Sequence, residues 1–191
     1  KASIQRTTKE TSFNLSIDLD GSGKGELKTN IGFFDHMIEQ IIKHSHIDLN
    51  GTFSGDLEVD EHHSVEDLAI TLGSLIKKAL GDKRGINRYG SDMLIMDDVV
   101  ARVAIDFSAR AEFIYDVDFK REYIGTFPTE MIKHFFKSFS NAAECNLYLN
   151  VSEGNSHHMA EALFKAFARS IKVAVKRDPS SNALPSTKGV L

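Results

Sequence analysis

Eight histidines fall in clusters along this 191-residue chain: His36, His44 and His46, then His62-His63, then His134, then His157-His158. Successive residues of an α-helix point about 100° apart, so an adjacent pair cannot readily chelate one ion, whereas residues three or four apart share a face. Glu66 lies three from His63 and four from His62, and Glu161 stands in the same relation to His158 and His157. If each adjacent pair divides between two ions, two pairs and two carboxylates make two sites. Each then needs about one more ligand to reach three imidazoles and a carboxylate. His36 and His134 are the candidates. Four protein ligands on a six-coordinate ion leave two positions for substrate, whereas a structural zinc site is closed, four-coordinate and usually thiolate-rich. A lone His-x-x-Glu is most often a surface pair worth a few tenths of a kcal/mol; two such pairs with doubled histidines favour metal. Imidazole and carboxylate suit zinc, iron or manganese alike.

The elements that position these groups repeat. Residues 62–81 laid over 157–176 align His62 with His157, His63 with His158 and Glu66 with Glu161, and Leu68, Ile76, Lys77 and Ala79 with identical residues. Asp60 aligns with Asn155, and both types cap helix N-termini. Val65, Leu68, Leu72, Leu75 and Ile76, and Leu163, Phe164, Phe167 and Ile171, recur at helical spacing. Upstream, strands are expected near Ser3 to Arg6, over Phe13 to Leu19 and, after Gly21-Ser22-Gly23, over Gly25 to Thr29; a helix over Phe34 to Lys43 and a strand over Leu49 to Phe53 follow. The second half reads alike: strands at Met93–Ile95, Ala101–Phe107 and Glu112–Phe119, a helix from Thr129 to Asn141, a strand at Leu147–Val151 and the His157 helix. The pattern predicts an α+β fold made by internal duplication of a βββαβα unit, two sheets flanking a four-helix layer. Residues 1–85 and 86–177 form the repeats, which by themselves bring the ligands together, and 178–191 form an aperiodic tail.

Composition narrows the class. With 41% apolar and 26% charged residues the chain reads as a globular protein, and a net charge of −4 without a basic run argues against a nucleic-acid partner. There is no 18-residue apolar stretch, and Lys1 to Arg6 lack a signal-peptide core, so no membrane role and a cytoplasmic location are expected. A single cysteine, Cys145, fits a reducing compartment. Asp18-Leu19-Asp20 imitates a phosphatase nucleophile loop, with Asp97-Asp98 as its acidic pair. Asn14, Ser16, Asp18 and Asp20 share the polar face of an alternating strand, however, whereas such a loop follows a buried apolar one. An EF-hand reading fails on the spacing of Gly21 and Thr29. Arg88, Arg110 and Lys188 are surface charges by default. Lys165, one turn beyond Glu161, would repel a bound metal unless an anion intervened, which points to an anionic, plausibly phosphorylated, substrate. On these residues alone the reaction stays unknown, with a metal-dependent hydrolase or phosphatase and a non-catalytic assembly protein stapled by metals both open.

Four motifs carry a family resemblance: Asp60-Glu61-His62-His63-Ser64-Val65-Glu66-Asp67, Gly154-Asn155-Ser156-His157-His158-Met159-Ala160-Glu161 with Phe164-Lys165, Gly32-Phe33-Phe34-Asp35-His36-Met37, and Pro185-Ser186-Thr187-Lys188-Gly189. Together they resemble the imidazoleglycerol-phosphate dehydratase family, hydro-lyases of histidine biosynthesis. The resemblance implies a ribosomal-protein-S5-domain-2-like duplicated fold, trimers assembling into a 24-subunit homo-oligomer, and two Mn²⁺ per active site at subunit interfaces. The ligands it implies are His36, His62, His63, Glu66, His134, His157, His158 and Glu161. It also implies that Gln40, His44, Arg88, Arg110, Lys165, Ser186, Thr187 and Lys188 hold the substrate, and that Glu10 reaches in from a neighbouring subunit. Water would leave D-erythro-imidazole glycerol phosphate to give imidazole acetol phosphate through imidazolate and diazafulvene-like species, with Glu161 or Glu10 as acid/base. Ser45, and Ala109 and Ala111 around Arg110, depart from the Gly, and from the Gly and Pro, usual at those places, which puts local backbone geometry in question. His46 matches no functional position.

Overall fold

A computed structural model describes residues 1–191. Strands β1 (Ala2–Thr7), β2 (Thr11–Asp18) and β3 (Asp48–Gly55) form an antiparallel sheet with β2 central. Phe13, Leu15 and Ile17 are buried while Asn14 and Ser16 are exposed. This one-sided burial is that of an antiparallel strand with a wet face, which removes the phosphatase-loop reading of Asp18 and Asp20. The second sheet has the order β4-β5-β9-β6, built from β4 (Tyr89–Met96), β5 (Val99–Asp106), β6 (Glu112–Asp116) and β9 (Asn146–Val151), with β6 parallel to β9. A small hairpin, β7 (Tyr123–Ile124) and β8 (Phe127–Pro128), lies between β6 and the following helix; its strands are too short to leave an alternating pattern in the sequence. Four helices complete the fold: α1 (Gly32–Ser45), α2 (His62–Leu80), α3 (Glu130–Ala143) and α4 (Ser156–Val175).

One expected strand does not form. Over Gly25–Thr29 the chain has no strand conformation. Asp48 Oδ1 accepts from the Ser22 and Lys24 amides at 2.9 and 2.8 Å, and the Leu49 amide donates to the Lys24 carbonyl at 3.2 Å. Farther along, the Thr29 amide and hydroxyl both donate to Asp35 Oδ1, at 2.7 and 2.6 Å. Side chains thus hold both ends of the segment, and the first repeat has two strands ahead of its first helix where the second has three in its sheet and the small hairpin besides.

The helices pair across the repeats: α1 packs on α4 and α2 on α3. Close approach of α2 to α3 depends on Gly73, where a Cβ would stand 2.7 Å from the Phe139 carbonyl oxygen. Phe135, Phe136 and Phe139 of α3 meet Phe164 and Phe167 of α4 at centroid distances of 4.7 to 5.2 Å, and all five rings are fully buried. Burial of each ring contributes roughly 2–3 kcal/mol, so the helix N-termini above this stack rest on a firm base. The sheets cover the layer outside, β1 and β2 on α2, and β4 and β5 on α4. Burial pushes the Cys145 thiol up to about 12, so the one cysteine is an inert core group. The aperiodic tail runs back along the junction between repeats, where the Gly85 amide donates to the Ala183 carbonyl and Arg84 to the Asn182 carbonyl.

Candidate active site

The His157 helix starts at its expected cap, Asn155, whereas the His62 helix has Glu61 at the N-cap position with Asp60 one residue before it, although the Asp60 side chain still holds its first turn. Asp60 Oδ1 accepts from the His62 amide at 2.8 Å, and Asn155 Oδ1 from the His157 amide at 2.9 Å. Each side chain fixes the first turn that carries a His-His pair.

Six of the eight expected ligands meet in two triads, one of His36, His157 and Glu161 and one of His62, Glu66 and His134. His36 Nε2 and His157 Nε2 lie 3.4 and 3.2 Å from Glu161 Oε2. In the other triad His134 Nε2 lies 3.3 Å from Glu66 Oε1, and His62 Nε2 3.9 Å from Glu66 Oε2. All ligand atoms of each triad lie within 4.8 Å of one another, close to the about 4.2 Å that spans an ion with bonds of about 2.1 Å, so a small inward shift would close each triad on one ion. His134 Nε2 is buried and, despite that nearby oxygen, makes no hydrogen bond; a cation between the two would give it a partner. Each triad draws on both repeats: α1 of the first meets α4 of the second, and α3 of the second meets α2 of the first. The repeats do not assemble a site by themselves, because the helix packing that joins them also builds the triads.

His63 and His158 stand outside the triads. His63 Nδ1 lies 3.1 Å from both oxygens of Asp56, and His158 Nδ1 2.7 Å from Asp98 Oδ1. Their carboxylate partners fix each ring at Nδ1 and leave Nε2 available to a ligand, the arrangement usual behind a metal-binding histidine. Asp97 and Asp98, which imitate a phosphatase's acidic pair in sequence, form the β4–β5 turn, and Asp98 there also accepts from the Asn155 amide at 2.7 Å. Hydrogen bonds donated to the Asp56 and Asp98 carboxylates hold the two imidazoles above their ordinary value of 6.5. In the metal-free chain this pairing is fully present below pH 6.5 and is lost as pH rises through the raised value; metal needs the neutral ring, so affinity climbs over the same interval. We expect Asp98→Asn to weaken metal binding about 10- to 100-fold and to shift this climb to lower pH, as read by metal-competition titrations from pH 5.5 to 8.5; an unshifted curve of wild-type affinity would refute the role.

Around the first triad lie three expected substrate contacts. Glu161 divides its oxygens: Oε1 takes Lys165 Nζ at 2.8 Å, while Oε2 faces the imidazoles. Burial works against its charge, but the bond and charge of Lys165, with His36, outweigh this and hold the carboxyl below its usual range. Gln40 Nε2 lies 3.4 Å from His36 Nδ1. Burial, then the charges of Lys165 and Arg169, push His44 down, which keeps its ring neutral near pH 7. Glu10 is exposed in the β1–β2 turn, with Oε1 3.9 Å from His63 Nε2 of the same chain. His46 is exposed at the left-handed end of α1, as a residue without a functional role would be.

Arg88, Arg110, Ser186, Thr187 and Lys188 do converge, in a cleft of about 470 Å³. Arg88 is largely committed there: Nε and Nη2 donate to Asp106 at 2.6 and 3.1 Å, and Nη1 to the Pro185 carbonyl at 2.8 Å, which ties the tail to β5. No carboxylate pairs with Arg110 or Lys188, which are therefore the free cations of the cleft. Ala109, before Arg110, is left-handed at φ 63°. An alanine there costs about 1–2 kcal/mol relative to relaxed backbone, so Ala109→Gly should stabilise the fold by about 1 kcal/mol; equal denaturation midpoints would show that the turn is unstrained. Ser45, the other departure, is accommodated at the end of α1, where its hydroxyl accepts from the Ile47 amide at 3.1 Å.

Sequence reasoning missed Asp56, Asp98 and Asp106, which orient His63, His158 and Arg88. Asp98 reaches His158 from 60 residues away, and only strand pairing reveals that proximity. No hydrogen bond or ion pair joins the two triads to each other or to the cleft within one chain.

Comparison with known proteins agrees with this geometry. The family model described as imidazoleglycerol-phosphate dehydratase matches residues 29–171, a span that holds both triads with His63 and His158. The "Histidine biosynthesis bifunctional protein HisB" of Spirosoma linguale is 54% identical over 191 residues, all of this chain and 50% of that protein. The chain thus spans about half the length of such bifunctional relatives. The "Imidazoleglycerol-phosphate dehydratase" of Brucella suis is 50% identical, over 100% of this chain and 96% of its own. Among solved structures, that of the dehydratase from Staphylococcus aureus superposes with a TM-score of 0.82 at 33% identity, over 92% of this chain and 98% of that one. The enzyme from Pyrococcus furiosus, in complex with (S)-C348, gives 0.84 at 32% identity over 98% and 100%. Paired imidazole–carboxylate triads on a duplicated α+β frame, and matches over nearly the whole of these dehydratases, lead to one conclusion: the chain belongs to the imidazoleglycerol-phosphate dehydratase family of hydro-lyases.

Proposed function

We propose that this chain dehydrates D-erythro-imidazole glycerol phosphate to imidazole acetol phosphate in histidine biosynthesis, with two Mn²⁺ per active site. The observation that carries the reading is the pair of triads, each three donors strong, beside two histidines whose Nε2 atoms are free of them. His63 and His158 of neighbouring subunits would bring each triad to three imidazoles and a carboxylate. That division of ligands supports a homo-oligomer with active sites at subunit interfaces, trimers building a 24-mer, and it gives the separation of triads and cleft within one chain a purpose. Imidazole and carboxylate donors without a thiolate fit manganese, which when bound would accept the substrate's ring nitrogens and draw charge from the ring.

The chain's own groups divide the remaining work. Arg110, Lys188 and the Ser186–Thr187 hydroxyls grip the phosphate dianion, with Arg88 fixing the tail that presents them. Neutral His44 and Gln40 offer hydrogen bonds to the glycerol portion. Lys165 keeps Glu161 ionised as a ligand, and a carboxylate held below its usual range is a weak base. Proton transfer therefore falls to Glu10, exposed in the β1–β2 turn and placed to face another subunit's substrate. With the assembled, Mn²⁺-loaded protein, imidazole glycerol phosphate should yield the keto product and leave the phosphate ester intact; release of inorganic phosphate without keto product would instead establish a phosphatase.

A further inference from the structure

Lys83 lies in the junction between repeats, 5% exposed, with φ 60°. Its Nζ donates to the Phe107 carbonyl at 3.1 Å, and no carboxylate pairs with it, since Asp106 is taken by Arg88 and Glu144 by Lys77. Burying an ammonium with one carbonyl acceptor is costly, and a neutral donor would serve a purely structural bond to Phe107. The residues after Phe107 give that bond a use. Ser108, Ala109 and Arg110 line the cationic cleft, and the turn is held by Ser108 Oγ, which donates to the Arg110 carbonyl at 3.1 Å and accepts from the Arg110 amide at 3.3 Å. Its left-handed Ala109 makes the turn prone to relax unless its ends are fixed. At one end the Phe107 amide donates to the Arg88 carbonyl at 3.2 Å while the Phe107 carbonyl receives Lys83.

We propose that Lys83 is a positioning residue for anion binding: by holding the Phe107 carbonyl, its buried side chain fixes one end of the Ser108–Arg110 turn that lines the cleft. The proposal rests on the cleft being the phosphate site.

Equilibrium dialysis of the assembled protein against radiolabelled inorganic phosphate tests this. Wild type should bind phosphate, and Lys83→Met should raise its dissociation constant about tenfold. With the phosphate ester substrate the same variant should raise KM by a similar factor and leave kcat within about twofold, a split that general loosening of the fold would not produce. Phosphate bound equally by wild type and Lys83→Met overturns the proposal and leaves the cleft reading standing. Wild type that does not bind phosphate removes the cleft reading and the proposal with it. If Lys83→Met does not assemble, hydrogen exchange on wild type decides: phosphate should protect residues 83–88 and 107–110 together, and protection confined to residues 186–188 overturns the proposal.

Discussion

Glu161→Gln lowers kcat by about 10³-fold in the assembled, metal-loaded enzyme. The substitution keeps the shape but removes the charge on which three neighbours depend: His36 and His157, which share its Oε2, and Lys165 on Oε1. Gln would present one acceptor oxygen to a metal and leave Lys165 facing the ion without an intervening anion. Loss of one catalytic or charge-stabilising group commonly costs 10²- to 10⁴-fold, and two consequences act together here. Steady-state kinetics at saturating Mn²⁺ is the check. A loss under tenfold would mean that Glu161 is an ordinary partner of Lys165.

Arg110→Ala, by contrast, raises KM about 100-fold and changes kcat little. Arg110 is exposed and unpaired at the mouth of the cleft, so its guanidinium is available to a phosphate in a way that Arg88, held by Asp106 and Pro185, is not. Charge-assisted bonds contribute about 1.5–3 kcal/mol each, and about 2.7 kcal/mol corresponds to 100-fold. The arginine is remote from the bond that breaks, so its contacts would be equal in ground and transition states and appear in KM. Arg88→Ala should behave differently. It strands the part-buried Asp106 and frees the tail, so lost stability should accompany its kinetic defect.

Much of the frame was legible because it depends on local pattern. The His-His-x-x-Glu repeats, the Asp60 and Asn155 side chains that hold their first turns and the apolar spacing behind them specify α2 and α4, and alternation specifies β2. Gly25–Thr29 misled because side chains hold its two ends: Asp48, lying beyond a whole helix in sequence, takes the Ser22 and Lys24 amides just before it, and Asp35 takes the Thr29 amide at its end. Ligand types were legible for the same local reason, but their grouping was not. His36 meets His157 rather than His62 because α1 packs on α4, a choice made by rings and small residues spread over the whole helix layer. The 100° step along a helix sets His63 and His158 apart from the triads that hold their neighbours, while the aspartates that orient them come from turns that tertiary pairing alone brings near.

The central claim, that each cross-repeat triad holds one ion, is tested most directly by metal content per chain in the purified assembly. Mass spectrometry of wild type loaded with Mn²⁺ and desalted should find about two ions per chain, and His36→Ala and His134→Ala, each of which opens one triad, about one. A wild-type content well below two, or variants that still retain two, would contradict it.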